Sequence, residues 1–165
     1  MSIGAFIPSY GFHNVADAVE KLRENGRNVD LVLLDGAFSR DEACKNAVLA
    51  DRPWITVHEG VPYSALGHVF AKTDVFVRAF AHESYGLSRV DAIMCGVPVV
   101  ATNLGETRGV LTYDFDDVDT LKHHIESVLD GKVDLDLQHW SDVYKHEAAE
   151  NLETYLRLIT GESDA

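Results

Sequence analysis

Residues 74–102 read DVFVRAFAHESYGLSRVDAIMCGVPVVAT, and this stretch decides the fold. The apolar run from Asp74 to Val77 has the length and β-branched content of a buried strand. A short polar loop follows and carries Glu83 and Gly86. Leu87 to Cys95 has helical spacing, and Asp91 stands on it eight residues after Glu83. Gly96-Val97-Pro98 then turns directly into a second apolar run, Val99 to Ala101. Strand, loop, helix and strand in this succession make a parallel pair joined by a crossover. Both acids then lie near the carboxyl ends of the strands, the edge at which open α/β sheets bind ligands.

Outward from this stretch the chain keeps the same alternation. Ile3 to Ile7 reads as a strand and Pro8 to Gly11 as a turn. Val15, Ala18, Val19 and Leu22 put an apolar face on a helix over Asn14–Glu24, which Gly26 ends. Asp30 to Asp35 is a strand. Ser39 with Glu42 makes a capping box for a helix running to Ala50. Trp54 to His58 is a strand and Pro62 to Ala71 a short helix. Leu111 to Tyr113 reads as a last short strand, Asp117 to Leu129 as a helix, and Trp140 to Ile159 as a long helix before a frayed tail at 161–165. Such alternation predicts a single α/β domain. Its doubly wound parallel sheet has right-handed crossovers and helices on both faces.

At 165 residues and 46% apolar content the chain can bury a core without staples. The formal net charge of -13 speaks against nucleic acid and against an anionic membrane surface as partners. No apolar run has transmembrane length. Cys44 and Cys95 lie far apart in helical patterns, as reduced thiols of a cytoplasmic protein do.

The 74–102 stretch resembles the donor-site signature of GT-B-fold glycosyltransferases, glycosyltransferase family 4 in particular. That family reads roughly D-V-F-V, a loop, E-x-F-G-L, then E-A-x-A-x-G-x-P-V-V-A-T. Here the same positions are Asp74 to Val77, Glu83-Ser-Tyr-Gly86-Leu87, Asp91-Ala92 and Gly96 to Thr102. The resemblance implies a Rossmann-like donor domain that binds a nucleotide-activated sugar, retains anomeric configuration and uses no metal or other cofactor. It gives Glu83 the donor sugar's hydroxyls, and with them the catalytic position. Asp91, one methylene shorter than the family's glutamate, takes the ribose. Gly4, Tyr85, Gly86, Leu87 and Ser88 complete the donor site, where the helix start offers amides and a positive dipole end to the pyrophosphate.

The cationic half of the site departs from the family. Where its first strand and turn carry an arginine and a lysine, this chain has Ala5 and Tyr10. Arg78, Arg89 and Arg108 are the candidates to compensate, with Arg78 at the strand end best placed. Leu104 to Thr107 resembles a second phosphate-binding helix start, with Glu106 where the family has a glycine. The acceptor-binding half of a GT-B enzyme is expected outside these residues. An excised piece, a partner chain supplying the other half, and a shortened protein with a changed role all fit, as does a homo-oligomer. The apolar side of the last helix (Leu152, Tyr155, Leu156, Ile159) suits its own domain first, then a partner or a second copy.

Three further features have plain readings. The acids from Asp114 to Asp119 precede a helix, where they cap it and complement its dipole more readily than they bind a metal. His123 and His124 are adjacent on a helix and cannot both reach one ion. His82, Tyr10 and Tyr85 can touch a ligand or simply sit in solvent and pack.

Overall fold

Six strands form one sheet in the order β3-β2-β1-β4-β5-β6. They are β1 (Ser2–Gly4), β2 (Leu31–Asp35), β3 (Ile55–Glu59), β4 (Phe76–Arg78), β5 (Val99–Thr102) and β6 (Val110–Tyr113). Every pairing is parallel. The computed structural model describes residues 1–36 and 41–160. The helices are α1 (Phe12–Glu24), α2 (Glu42–Leu49), α3 (Leu66–Phe70), α4 (Leu87–Met94), α5 (Val118–Leu129) and α6 (Leu137–Thr160). Strand order reverses between β1 and β4, so the crevice of the doubly wound sheet opens beyond Gly4 and Arg78.

The period-two alternation of the central strands feeds two separate cores. Val77 and Val100 point to the layer of α1 and α5, against Val15, Val19, Leu121 and Ile125. Phe76, Val99 and Ala101 point the other way, against Ala92 and Ile93 of α4 and Tyr144 of α6. Burial on both faces explains why these strands are unbroken apolar runs. Each such side chain contributes about 1.5–3 kcal/mol by leaving water. The layer over β1 and β2 is thinner, because α3 is only 5 residues long. A hollow therefore remains between Ile3, Leu34, Val61, Tyr63 and Leu66.

The first strand is shorter than the sequence suggests. It ends at Gly4, and the chain turns at once: Ile7 N–H donates to Ala5 O at 2.8 Å, and Pro8–Tyr10 forms a 3-10 turn. Gly11 closes this loop with φ +63, and a Cβ there would lie 2.3 Å from Ala79 O. Glycine is what lets the loops after β1 and β4 meet across the crevice. The segment 62–71 divides into a 3-10 turn (Tyr63–Ala65) and α3. Asp41 caps α2, accepting from Ala43 N–H at 2.9 Å and Cys44 N–H at 3.1 Å. Ser39 of the expected capping box and the tail 161–165 lie outside the described residues. Leu104 to Thr107 starts no helix; the chain runs through it into β6.

The expectation that α6 folds back wholly onto its own domain is overturned. Trp140 and Tyr144 in its first half pack into the α4-side core. Leu152, Tyr155, Leu156 and Ile159 are instead between 47% and 61% exposed. Length is the reason: the 24 residues of α6 span about 36 Å, and the 8 residues of α4 that receive it span about 12 Å. Arg108 clamps the docked half. Its guanidinium donates to Glu147 Oε1 at 2.6 Å and to Glu106 Oε2 at 2.7 Å, with the Trp140 and Tyr144 rings beside it. Arg108 is therefore engaged in structure and not offered to a ligand.

That clamp makes stability acid-sensitive. Hydrogen bonds from Arg108 hold the Glu106 carboxyl below the usual glutamate range. A carboxyl with a depressed folded pKa contributes stability above its unfolded value, about 4.3, and loses it as pH falls through the folded value. Glu106→Gln is expected to cost about 0.5–1 kcal/mol at pH 7. Urea titrations at stepped pH should show that gap closing below about pH 4. A gap that widens on acidification would contradict the clamp. Among the described residues no helix is long and apolar enough to cross a membrane.

Candidate functional site

Glu83, the acid on the loop after β4, is not a solvated side chain. Its Oε2 accepts from Arg78 Nε at 2.6 Å, and the two side chains are only 7% and 12% exposed. Arg78 is the last residue of β4, so the strand itself aims it into the crevice. It is fixed on several sides. Nη1 donates to Ile3 O at 2.8 Å, and the guanidinium carbon lies 5.3 Å from the Tyr10 ring centre and 5.0 Å from that of Phe80. Tyr10 and Phe80 stack on each other at 4.4 Å, and Ala81 N–H donates to Ser9 O at 2.8 Å. The two loops of the crevice are thus bound together around one arginine.

Gly4 lies at the end of β1. It is buried, and a Cβ there would lie 2.5 Å from Tyr10 Cδ1. Tyr10 covers the position, so Gly4 serves the packing of that ring.

Beyond Glu83 the chain builds a cradle of backbone. Gly86 takes φ +89 and precedes α4 with no side-chain cap, which leaves the amides of Leu87 and Ser88 open to an acceptor. Tyr85 and Leu87 line the rim, 44% and 70% exposed. Gly105 backs onto the loop: a Cβ there would come 2.9 Å from Tyr85 O and 3.1 Å from Ser84 O. Glu106 N–H donates to Tyr85 O at 2.9 Å. The loop from β5 to β6 therefore buttresses the cradle.

Behind it lies Arg89, fully buried. Its Nη1 donates to the carbonyls of Leu104 and Glu106, and Nη2 to Thr102 Oγ1 at 3.1 Å. Thr102 Oγ1 in turn donates to Phe80 O at 2.8 Å. Nε has no hydrogen-bond partner among the described residues and lies 3.0 Å from where a Gly86 Cβ would be. Burial pushes the guanidinium's pKa down, opposed chiefly by the field of Glu83. Arg78 thus touches the Glu83 carboxylate, and Arg89 feels its field, in a chain of formal charge -13. The helical phase holds the clue to Arg89: it precedes Ala92 and Ile93 by three and four residues, and all three are buried.

Asp91 lies one turn into α4. Its Oδ1 accepts from the Tyr63 hydroxyl at 2.9 Å. Partial burial pushes its carboxyl upward, and the Tyr63 hydrogen bond works against that. Nothing at the level of sequence pairs Tyr63 with a residue 28 positions away. The acids before α5 have structural partners. Asp117 caps α5 by accepting from Thr120 N–H at 3.0 Å, and Asp116 accepts from Asn14 Nδ2 at 2.9 Å. His124 Nε2 lies 3.1 Å from Thr112 O, and His82 is exposed.

A parallel sheet with this switch point, an acid-bearing loop and an uncapped helix start beside it make a ligand-binding edge of the Rossmann-like kind. Residues 1–141 match the model of glycosyl transferases group 1, and the chain belongs to that family. It is 29% identical over 161 residues to a D-inositol 3-phosphate glycosyltransferase of Paenarthrobacter aurescens (strain TC1), covering 85% of this chain and 39% of that protein. It is 35% identical over 77 residues to O-antigen chain mannosyltransferase B of Escherichia coli, covering 44% of this chain and 20% of that one. The solved structure of a sucrose-phosphate synthase from Thermosynechococcus elongatus shares the fold. Its TM-score is 0.73 at 18% identity, covering 98% of this chain and 46% of that one. The chain spans less than half the length of each of these proteins.

Proposed function

We propose that this domain binds a nucleotide-activated sugar for a retaining, metal-independent transfer of the family 4 kind. The observation that carries the reading is Glu83, held beside the amides of an uncapped helix start at the switch point. Glu83 takes the donor sugar's hydroxyls as a carboxylate acceptor and is the catalytic residue of this half. The Tyr85–Ser88 backbone takes the pyrophosphate. Arg78, and Arg89 behind the cradle, supply the positive charge that Ala5 and Tyr10 do not. Leaving-group charge is the main electrostatic load in such a transfer, and preorganised cations and amides carry it. Asp91 accepts from the ribose, and the hollow beside Tyr63 and Leu66 offers the base an apolar wall. The acceptor-binding half comes from other residues, on a further segment, a partner chain or a second copy. The free thiols of Cys44 and Cys95 suit the cytoplasm.

A thermal-shift screen with UDP-, GDP- and ADP-sugars tests this reading. At ten times its Kd a ligand adds about 1.4 kcal/mol, or about 3–5 °C for a domain of this size. No response at millimolar concentration from any of them would favour the alternative, a non-catalytic binding or interaction module. Tyr10 lying over Gly4, where the family keeps its cations, is the observation on that side.

A further inference from the structure

Asp91, the acid that the donor-site reading gives to the ribose, is already occupied by a side chain of this protein. Tyr63 is 73% exposed, yet its hydroxyl reaches across from the 3-10 turn before α3 to donate to Asp91 Oδ1 at 2.9 Å. A solvated phenol loses little by turning outward, so packing is not what holds this ring. Gly60 nearby takes φ +62, and among the described residues nothing beyond its chain neighbours lies within 4 Å of where a Cβ would be. The ring, with Leu66, also divides two hollows. One is about 180 Å³ and runs past Phe70 and Met94 to Asp91; the other is about 190 Å³ and reaches Leu34 and Gly36 at the end of β2. Each is smaller than the roughly 300–1,000 Å³ of ordinary ligand pockets. Tyr63 and Leu66 are common to both linings, so the ring stands where the two hollows meet.

We propose that Tyr63 is a built-in surrogate for a ribose hydroxyl. It closes the nucleoside groove by donating to Asp91 and is displaced when a ribonucleotide's own hydroxyl takes its place. The inference rests on the donor-site reading, in which Asp91 faces the ribose. Its consequence is specific. A ribonucleotide exchanges one hydrogen bond on Asp91 for another, so wild-type protein gains little from that contact. Removing the phenol hydroxyl abolishes the competition for ligands that carry ribose hydroxyls and for no others. A desolvated carboxylate strengthens the contrast, because Asp91 sits partly out of water, with its carboxyl pushed upward.

The experiment is calorimetric titration of wild type and Tyr63→Phe with UDP, GDP and ADP and with their 2′,3′-dideoxy counterparts. The ribonucleotide that binds should bind Tyr63→Phe about 3–10-fold tighter, the equivalent of one ordinary hydrogen bond, with the dideoxy compound unchanged. Tyr63→Ala should tighten the ribonucleotide at least as much; it also removes the partition, so the contrast between ribo and dideoxy compounds is read on Tyr63→Phe. Weaker binding by either variant would make Tyr63 a ligand contact and overturn the surrogate. An equal change for ribo and dideoxy compounds, or no change for either, overturns it too while leaving the donor site standing. Failure of every nucleotide to bind wild type and variant alike overturns both.

Discussion

Arg89→Met is expected to destabilise the domain by about 2–4 kcal/mol, a fall in Tm of roughly 5–15 °C for a chain of this size. Methionine fills most of the arginine's space, so the loss is polar and not a cavity. The Leu104 and Glu106 carbonyls and Thr102 Oγ1 lose their donor. An acceptor so stranded costs about 1–3 kcal/mol where it is buried, as Thr102 Oγ1 is, and less where it is part-buried, as the two carbonyls are. Relief from holding a desolvated guanidinium offsets part of the sum, since no carboxylate among the described residues pairs with Arg89. Lysine should rescue little. Its single ammonium cannot span acceptors that a planar fork reaches on both sides. Thermal and urea unfolding check the figure. A change under about 1 kcal/mol would mean that the β5–β6 loop finds other donors, and that Arg89 is not what joins it to α4 and to Phe80.

The alternation that gave this fold away was legible because buried parallel strands and amphipathic helices have different periods. Both are strong between Asp30 and Thr102. The first strand was less legible. Ala5, Phe6 and Ile7 are apolar, but Ala5 and Phe6 are buried in a turn and not in the sheet, and composition does not separate these cases. The outer half of α6 carries the spacing of a docked helix, while the surface that would receive it depends on the length of α4, a relation between elements. Within the site, position was readable and partnership was not. Arg78 could be placed at the mouth from its strand, but its pairing with Glu83 and its seat between Tyr10 and Phe80 arise from loop closure. The link between Tyr63 and Asp91 passes through a 3-10 turn whose path no local pattern fixes. Chemistry of single residues is written in order along the chain, whereas pairings are made by the fold.

Glu83→Gln is expected to weaken binding of the cognate nucleotide sugar about 2- to 30-fold, while binding of the corresponding nucleoside diphosphate holds or tightens. Glutamine is the informative substitution. It keeps an oxygen for Arg78 Nε, whereas Glu83→Ala would leave a part-buried guanidinium without its counter-charge, at about 3–5 kcal/mol of stability. The loss on the sugar follows from the strength of hydrogen bonds to a charged acceptor, about 1.5–3 kcal/mol against about 1 for a neutral one. The opposite tendency for the diphosphate follows from charge. Glu83 is the carboxylate in direct contact with Arg78, and removing its charge leaves the cation's field for the phosphates. The two ligands therefore separate the roles of one side chain. Equal losses on both would mean that Glu83 organises the loop as a whole. An unchanged affinity for the sugar donor would mean that the carboxylate serves only to hold Arg78, and the sugar's hydroxyls are met by other residues.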